Sequence, residues 1–305
     1  MLLLLAAAGL VLACITLVLY KLSLRPRPAF AQERSCTTNN HGRRVECALP
    51  TLSDAPTVHL SVVIPAYNES KRLPAMLQEA AEYLEAQDED YELLIVDDGS
   101  SDNTAETALA WAADNKLKHG TLKVCRLLQN RGKGGAVAHG MKHIAGRYGI
   151  FADADGASKF SDVALLFSHL KEENGLGMAS GSRAHMVSTD AVVKRSPLRN
   201  LLMHGFHTFI RLLGVPHIKD TQCGFKLFTR RTCALLFPNM HIERYAFDVE
   251  LFVLAGYLRV PVEEVAITWH EVDGSKMHLV QDSLSMAMDL VLMRLGYTLG
   301  LWRHS

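Results

Sequence analysis

The feature that most constrains the fold is a regular alternation of apolar and amphipathic segments that begins at His59. The apolar segments are HLSVVIPAY, YELLIVDDG, LKVCRLL and GIFADAD, and the intervening segments RLPAMLQEAAEYLEAQ, DNTAETALAWAADN and GGAVAHGMKHIAGRY have helical spacing. Short apolar strands that alternate with helices are typical of βαβ units. The pattern therefore predicts an α/β fold with a mostly parallel sheet flanked by helices.

The second half of the chain is less regular. It predicts helices at SDVALLFSHLKEE, SPLRNLLMHGFHTFIRLLG and AFDVELFVLAGYLR, and strands at LGMASGSR, CGFKLFT and VPVEEVAITWHEV. The tail from Ser283 to Leu301 also has helical spacing, but charged residues interrupt it. Two roles stay open for the tail, since it can cover the sheet or lie on a membrane surface.

The N-terminus predicts a membrane anchor. Residues 2–20 carry no charge, and a helix of this length extends about 28 Å, close to the thickness of a hydrocarbon core. Lys21, Arg25 and Arg27 follow the apolar run, so the positive-inside rule places the remainder of the chain in the cytosol. The alternative is a cleaved signal peptide ending near AFA at 29–31, which the absence of a basic n-region disfavours.

These segments predict an anchor over 1–20, a linker or irregular stalk over 21–57, and a catalytic domain over 58–305. Its parts are a nucleotide-sugar half at 58–155, an acceptor half at 156–282 and a C-terminal helix at 283–302. A formal net charge of zero argues against a nucleic-acid binder. The six cysteines have no zinc spacing, and we expect all of them to be reduced, as in a cytosolic domain.

Polar residues follow the first two predicted strands. Ligands of open α/β sheets bind at the carboxyl ends of strands, and the first turn has neither GxGxxG nor GxxxxGK, which disfavours a dehydrogenase or a P-loop NTPase. Pro65, Tyr67 and Glu69 offer a rigid bend, an aromatic face and an acceptor. Asp98 is explained by turn chemistry, whereas Asp97 directly after LLIV is a candidate ligand for a base or ribose.

The fourth strand ends in two carboxylates, Asp153 and Asp155. Side chains two apart on a strand point the same way, and a hard divalent cation beside a diphosphate would hold them together. The glycine-rich turn NRGKGGAV could place backbone N–H groups and Lys133 near a phosphate. The sequence therefore predicts a site for Mg²⁺ or Mn²⁺ and a nucleotide diphosphate at this edge.

Several motifs together resemble a known family. SVVIPAYNES, IVDDGSSDNT, NRGKGGAV, FADADGASKF and GSR are similar to inverting family 2 glycosyltransferases with the GT-A fold. RSPLRNLLMHGFHTFIRLL, DTQCGFKLFTRR, ERYAFDVELFVLA and ITWHEVDGSKM resemble the dolichyl-phosphate β-glucosyltransferases, and the resemblance extends over roughly residues 1–302. It implies glucose transfer from UDP-glucose to dolichyl phosphate for protein N-glycosylation, by a single-pass protein of the endoplasmic reticulum membrane whose catalytic domain faces the cytosol.

The resemblance also implies residue roles. The uridine would contact Pro65, Tyr67, Glu69 and Asp97, with Lys133 near the donor. Asp153 and Asp155 would bind the metal ion beside the diphosphate. Arg183 and Arg199 would bind the acceptor phosphate, and Asp248 would orient an arginine or a sugar hydroxyl near the acceptor. Related mannosyltransferases continue the DAD motif with Leu and Gln, whereas Gly156 and Ala157 stand here, which favours the glucosyl branch and leaves the third metal ligand open.

Three other functions remain to be separated from this one. A polyprenyl-phosphate sugar synthase using GDP-mannose would share the fold. A nucleotidyltransferase would need a basic, glycine-rich turn after the first strand, which PAYNES is not. A membrane-tethered nucleotide-sugar binding module would not require Asp153, Asp155, Arg183 and Arg199. His204 and His207 have helical spacing but no third metal ligand, so we interpret them as polar helix positions.

Overall fold

The computed structural model describes residues 15–20, 22, 25–40, 43–118, 120–186, 218–272 and 279–303. The strands of this part are β1 Ser35–Asn40, β2 Arg43–Ala48, β3 Val58–Ala66, β4 Tyr91–Asp97, β5 Leu122–Arg126, β6 Gly146–Ala152, β7 Met178–Ser182, β8 Phe225–Thr229 and β9 Val262–Ala266. They form one sheet in the order β2-β1-β5-β4-β3-β6-β8-β7-β9. Only β1 and β8 run opposite to the other strands described, so the predicted mostly parallel sheet is confirmed.

Helices cover both faces of this sheet. They are α1 Leu73–Glu85, α2 Thr104–Asp114, α3 Lys133–Met141, α4 Val163–His169, α5 Arg230–Leu236, α6 Phe247–Tyr257 and α7 Leu279–Thr298. The predicted third helix, GGAVAHGMKHIAGRY, ends early at Met141. Gly146 and Tyr148 belong instead to β6, because they pair with Val58 and Leu60 of β3.

The strand pattern sorts apolar side chains into two cores. Val62 and Ile64 pack in a cluster with residues of α1, α2 and α4, whereas Val63 packs in a second cluster with residues of α3, α5, α6 and α7. All three side chains have no exposed surface. Side chains along a strand alternate between its faces, so an uninterrupted apolar strand such as β3 is buried on both sides.

The prediction of an irregular stalk over residues 21–57 is wrong for the hairpin formed by β1 and β2. The two strands pair antiparallel, and Thr38 of β1 pairs with Lys123 of β5, so the hairpin extends the edge of the sheet. Its strands, SCTTNN and RRVECA, are polar, and β2 is mostly exposed, whereas Cys36 and Thr38 of β1 are buried. They carry little of the apolar periodicity by which a strand is recognised in a sequence.

The hairpin also corrects the expectation for the cysteines. Cys36 and Cys47 are opposite each other in the register, their Cα atoms are 5.3 Å apart, and they form a disulfide. The expectation that every cysteine is reduced is therefore wrong for this pair. It holds for three buried free cysteines: Cys125, Cys223 and Cys233.

A buried carboxylate ties the N-terminal segment to the domain. Glu33 is fully buried and accepts hydrogen bonds from the Arg27 guanidinium at 2.8 and 2.6 Å, from Phe30 N at 2.9 Å and from Leu128 N at 2.8 Å. Burial alone would raise the pKa of Glu33, but these donors lower it to about 2. Residues 27–33 are therefore an integral part of the fold.

The C-terminal helix packs on the body of the domain. Met286, Leu290 and Met293 of α7 are buried in the cluster that includes α3, α5 and α6. Leu284 and Met288, on the other side, are 68% and 54% exposed. Packing on the domain is thus observed, and contact with a membrane stays a prediction.

The described residues include only 15–20 of the predicted anchor, and these are helical. No helix in this part of the chain has the length and apolar character needed to cross a bilayer. The anchor therefore stays a prediction from the sequence.

We expect Glu33→Gln to lower the melting temperature by about 5 °C in detergent solution. The amide leaves buried donors without an acceptor, which costs about 2 kcal/mol of the free energy of unfolding. Because the folded pKa of about 2 lies below the ordinary value of 4.5, the stabilisation is present above about pH 4.5 and is lost as the pH falls toward about 2.

The matched control is Glu46→Gln, since Glu46 lies exposed on β2 of the same segment. Thermal unfolding of the three proteins across this pH range measures the effect. A melting temperature of Glu33→Gln equal to that of Glu46→Gln at pH 7 would contradict the structural role.

Candidate active site

The candidate site lies where the chain reverses direction across the sheet. From β3 the chain moves through β4 to β5 and then returns to β6 on the other side of β3. In open α/β sheets such a switch point leaves a crevice at the carboxyl ends of the strands. These ends carry the loops beginning at Tyr67, Asp98 and Asp153, so the three predicted polar segments meet at one edge.

Pro65 lies within a strand and does not form the predicted bend. It lies inside β3, is buried and pairs with Val96 of β4. Pairing of β3 with β6 stops at Val63 and Phe151. Since proline has no N–H to donate to a ladder, Pro65 cannot extend the pairing toward β6. It thus helps to keep the crevice between β3 and β6 open.

Asn68 joins the loops that follow β3 and β4. It has a φ of 54°, in the left-handed region that asparagine tolerates. Its Oδ1 accepts hydrogen bonds from Ser101 N at 2.8 Å and Asp102 N at 3.2 Å, while its own N–H donates to Ser100 Oγ at 2.9 Å. The neighbouring residue Tyr67 is 41% exposed at this edge.

The two aspartates at the end of β4 both accept hydrogen bonds from backbone N–H groups. Asp97 Oδ1 accepts from Ser100 N at 3.0 Å, so turn chemistry applies to Asp97 as well, contrary to the sequence interpretation. Asp98 accepts from Arg131 N at 2.7 Å and Gly132 N at 2.8 Å. Burial raises the pKa of Asp98 to about 7 against the effect of these donors. Asp98 therefore fastens the glycine-rich turn to β4, a role that the sequence did not reveal.

The glycine-rich turn presents only one of its two cations to the edge. Arg131 is buried, and its Nε donates to Glu243 at 2.7 Å. Gly132, with a φ of 84°, leads into α3, and a Cβ there would lie 2.7 Å from the carbonyl oxygen of Glu243. Lys133, the first residue of α3, reaches Asp153 Oδ1 at 2.6 Å.

Asp153 and Asp155 are held between two cations. Lys133 binds Asp153, and Arg72 Nη1 lies 4.0 Å from Asp155 Oδ2. Arg72 in turn binds Glu69 through Nε at 2.7 Å and Nη2 at 2.6 Å. Burial and the charge of Asp153 raise the pKa of Asp155. The negative charge at this edge therefore favours the binding of a further cation.

A glycine of a neighbouring segment supports the first carboxylate. Asp153 N donates to Gly224 O at 3.1 Å, and a Cβ at Gly224 would lie 2.0 Å from Asp153 Oδ2. Only glycine allows the segment before β8 to approach so closely. The block DTQCGFKL thus contributes a positioning residue, to which the sequence interpretation assigned no role.

Asp248, predicted to lie near the acceptor, is a buried residue with a buried partner. Its side chain is 4% exposed and forms an ion pair with the fully buried Lys226, whose Nζ also donates to Cys223 O at 2.7 Å. Burial raises the pKa of Asp248, whereas Lys226 and Lys133 oppose this shift. The predicted orientation of an arginine or a sugar hydroxyl by Asp248 stays a prediction. The negative charge of Asp248 also raises the pKa of Lys133.

Arg183 follows β7 and forms a bidentate pair with Asp220. Its Nε and Nη2 donate to Asp220 at 2.7 and 2.9 Å, and its guanidinium lies 5.5 Å from the centre of the Trp269 ring. Burial alone would lower the pKa of Arg183, but Asp220 raises it. The pair holds the guanidinium in one orientation. Arg199, His204 and His207 lie outside the described residues.

The residues described at this edge offer a divalent cation two carboxylate ligands, Asp153 and Asp155. In the described part of the chain, no cluster of three or more His, Cys, Asp or Glu side chains could hold a metal. Asp153 and Asp155 supply hard oxygen atoms, and their mutual repulsion is the electrostatic reason to bind one. The remaining ligands would have to come from a bound diphosphate or water.

Comparisons with solved structures support the fold. A glucosyl-3-phosphoglycerate synthase from Mycobacterium tuberculosis in complex with UDP has a TM-score of 0.54 and 17% identity, covering 78% of this chain and 79% of that one. The synthase in complex with Mn²⁺, UDP-glucose and phosphoglyceric acid has a TM-score of 0.54 and 18% identity, covering 81% and 86%. The predicted GT-A fold is thereby confirmed.

Sequence comparisons identify the family. The model for Glycosyl transferase family 2 matches residues 61–235. The dolichyl-phosphate beta-glucosyltransferase of Saccharomyces cerevisiae is 47% identical over 304 residues, covering 95% of this chain and 91% of that protein. The human protein of the same name is 42% identical over 309 residues, covering 98% and 93%. The chain therefore belongs to glycosyl transferase family 2 and, within it, to the dolichyl-phosphate beta-glucosyltransferases.

Proposed function

We propose that the chain transfers glucose from UDP-glucose to dolichyl phosphate with inversion, giving dolichyl β-D-glucosyl phosphate. The observation that carries this proposal is its 42–47% identity to dolichyl-phosphate beta-glucosyltransferases along nearly the whole chain. The edge formed by β3, β4 and β6 supports it, since it brings a carboxylate pair, a lysine and an aromatic side chain together. These groups suit a diphosphate, its counter-ion and a base.

The donor would bind across the switch point. Tyr67 offers its exposed ring to the uracil, and Asp97 lies at the adjoining strand end. Lys133 at the N-terminus of α3 supplies a positive charge that the carboxylates of Asp153 and Asp248 stabilise by raising its pKa against the effect of burial. A lysine that stays charged at this position compensates negative charge on a diphosphate.

Asp153 and Asp155 would hold Mg²⁺ or Mn²⁺. When bound, such an ion neutralises charge that develops on the leaving diphosphate. A synthase with this fold has been crystallised with Mn²⁺ and UDP-glucose, which supports a divalent ion in this chain too. Arg72 fixes Glu69 and approaches Asp155, and thereby restrains the second carboxylate.

The acceptor phosphate would be bound by Arg183 and Arg199. Asp220 takes Nε and Nη2 of Arg183, which leaves Nη1 as the nitrogen outside this bidentate pair. A phosphate monoester has a second pKa of about 6 and is largely dianionic at neutral pH. Its oxygen can attack the anomeric carbon without a general base, so neutralisation and orientation by arginine are the contributions required of the protein.

The lipid acceptor fits a protein that is held at a membrane. We propose that residues 1–20 anchor the chain in the endoplasmic reticulum membrane, with the domain facing the cytosol. The uncharged run at 2–20 and the basic residues after it support this orientation. The exposed Leu284 and Met288 on α7 are compatible with contact with the bilayer surface.

A donor panel tests the proposed reaction. The full chain, purified in detergent with dolichyl phosphate and Mg²⁺ or Mn²⁺, is given labelled UDP-glucose, UDP-N-acetylglucosamine or GDP-mannose separately. We expect label to enter the lipid only from UDP-glucose and a chelator to stop the transfer. Label from GDP-mannose would overturn the donor assignment. Nucleotide binding without transfer from any donor would favour a binding module.

We expect Asp155→Asn to lower the transfer rate by roughly 100-fold or more, since it removes one of two carboxylates offered to the metal. The fold should stay intact, because burial already disfavours the charge of Asp155. Initial rates and melting temperatures check this against Asp114→Asn, an exposed control at the end of α2. Turnover of Asp155→Asn equal to that of the control would remove the metal assignment.

We expect Gly224→Ala to weaken metal-dependent UDP binding roughly 100-fold, because the added Cβ must displace the Asp153 carboxylate. Gly256→Ala in α6 is the matched control, since a Cβ there meets nothing within 4 Å. Calorimetric titration with UDP in the presence of Mn²⁺ measures both variants. Equal affinities for UDP would show that the position of Asp153 is not required.

A further inference from the structure

A cavity lies outside the crevice of the proposed transfer site. It has a volume of about 300 Å³ and is lined in part by residues 25–29, by α3 and by residues 237–243. We call it the basic cavity, because four cationic side chains line it: Arg25, Arg27, Arg131 and Lys142. Glu243 is the carboxylate among its lining residues, and Phe237 and Ile242 belong to its apolar wall.

The basic cavity and the crevice lie on opposite sides of α3, and a different lysine faces each of them. Lys133 begins the helix and binds Asp153 at the crevice, whereas Lys142 directly follows the helix and lines the basic cavity. Nine residues of α-helix correspond to a rotation of about 180° and a rise of about 13 Å. A ligand of the basic cavity is therefore not held by the residues that we assign to the diphosphate.

Three of the four cations are already engaged within the protein. Arg27 binds the buried Glu33, Arg131 binds Glu243, and Arg25 donates to Leu301 O at 3.2 Å. These contacts fix the guanidinium groups around the cavity. They also leave the lining with more positive than negative charge.

Lys142 differs from the three arginines. Its side chain is half-buried, and within the described residues no hydrogen bond or ion pair joins its ammonium group to another side chain. Burial and the charge of Arg131 lower the pKa of Lys142, whereas the charge of Glu243 opposes this shift. Since Glu243 is already paired with Arg131, it compensates the half-buried Lys142 ammonium only in part, and an anion in the cavity would reduce the remaining cost of burial.

The position of the cavity indicates where such an anion comes from. Residues 25–29 follow the helical residues 15–20, where Leu17, Leu19 and Tyr20 are each more than half exposed. Basic residues beside an apolar segment attract anionic lipid headgroups. Phe237, Pro238 and Ile242 add an apolar wall suited to the glycerol or first acyl carbons of a lipid.

We propose that the basic cavity is a second phosphate-binding site, which takes the phosphate monoester headgroup of a membrane lipid with Lys142 as its principal counter-ion. The ligand is bound and not turned over, so no bond is formed or broken. A free phosphate has the same chemistry, and the test separates the two sources. The proposal does not depend on the identity of the sugar donor.

The test uses the full chain in neutral detergent with a metal chelator. Calorimetric titrations are made with dihexanoyl phosphatidic acid, dihexanoyl phosphatidylcholine and inorganic phosphate. The variants are Lys142→Met, Lys142→Arg and, as a matched control, Lys118→Met at an exposed surface lysine. Any binding at the transfer site is common to the wild type and the three variants. A difference in affinity between the wild type and the Lys142 variants therefore reports on the cavity alone.

We expect Lys142→Met to weaken binding of phosphatidic acid roughly tenfold or more, as the loss of a charged hydrogen-bond donor would. Lys142→Arg should retain most of the affinity, and Lys118→Met all of it. Tighter binding of phosphatidic acid than of inorganic phosphate, with dependence on Lys142, assigns the site to a lipid. Equal and Lys142-dependent affinities for both would support the phosphate site and assign it to free phosphate.

Equal affinity of wild type and Lys142→Met for both anions would overturn the proposal, as would binding of phosphatidylcholine as tight as that of phosphatidic acid. Glucose transfer provides the separate readout. We expect Lys142→Met to transfer glucose at the wild-type rate in detergent without anionic lipid. A raised KM for dolichyl phosphate in this variant would also overturn the proposal, because the cavity would then be part of the acceptor site.

Discussion

The repulsion between two carboxylates at the end of β6 is the constraint on which the rest of the site depends. Asp153 and Asp155 are held there because Lys133 and Arg72 approach them from different loops. Beneath them, the buried Asp248 adds negative charge that keeps Lys133 protonated. The arrangement has charges of both signs at close range. When a diphosphate and a metal ion bind, the carboxylates can pair with the metal ion and the protein cations can pair with the diphosphate. No charge is then left unpaired.

Much of the fold follows from local pattern. The alternation of apolar strands with helices is enough to predict β3 to β6, because each strand contains a run of apolar residues that is buried on both faces. The convergence of Tyr67, Asp97 and Asp153 at one edge was also predictable, since parallel strands present their carboxyl ends together. Lys133 belongs with them because a glycine-rich turn precedes α3. These conclusions need only spacing and residue type.

The partners of buried charges did not follow from the sequence, because they are chosen by contacts between distant segments. Asp98 lies 33 residues before Arg131, whose backbone it binds, and nothing near Arg183 indicates that Asp220 would orient it. The hairpin of β1 and β2 is polar and lies at the sheet edge, so hydrogen bonding to β5 and the disulfide determine it more than apolar periodicity does. The ion pair of Asp248 was not predictable for the same reason, since its partner Lys226 is on another element.

The most direct test of the account is the location of Mn²⁺ in crystals of the chain grown with UDP. Anomalous diffraction at the manganese edge identifies the ion without reference to the protein. The account predicts a single strong peak between the carboxylates of Asp153 and Asp155, adjacent to the diphosphate of UDP at the end of β6. UDP bound at this edge with the manganese peak elsewhere, or bound away from β3, β4 and β6 altogether, would contradict it.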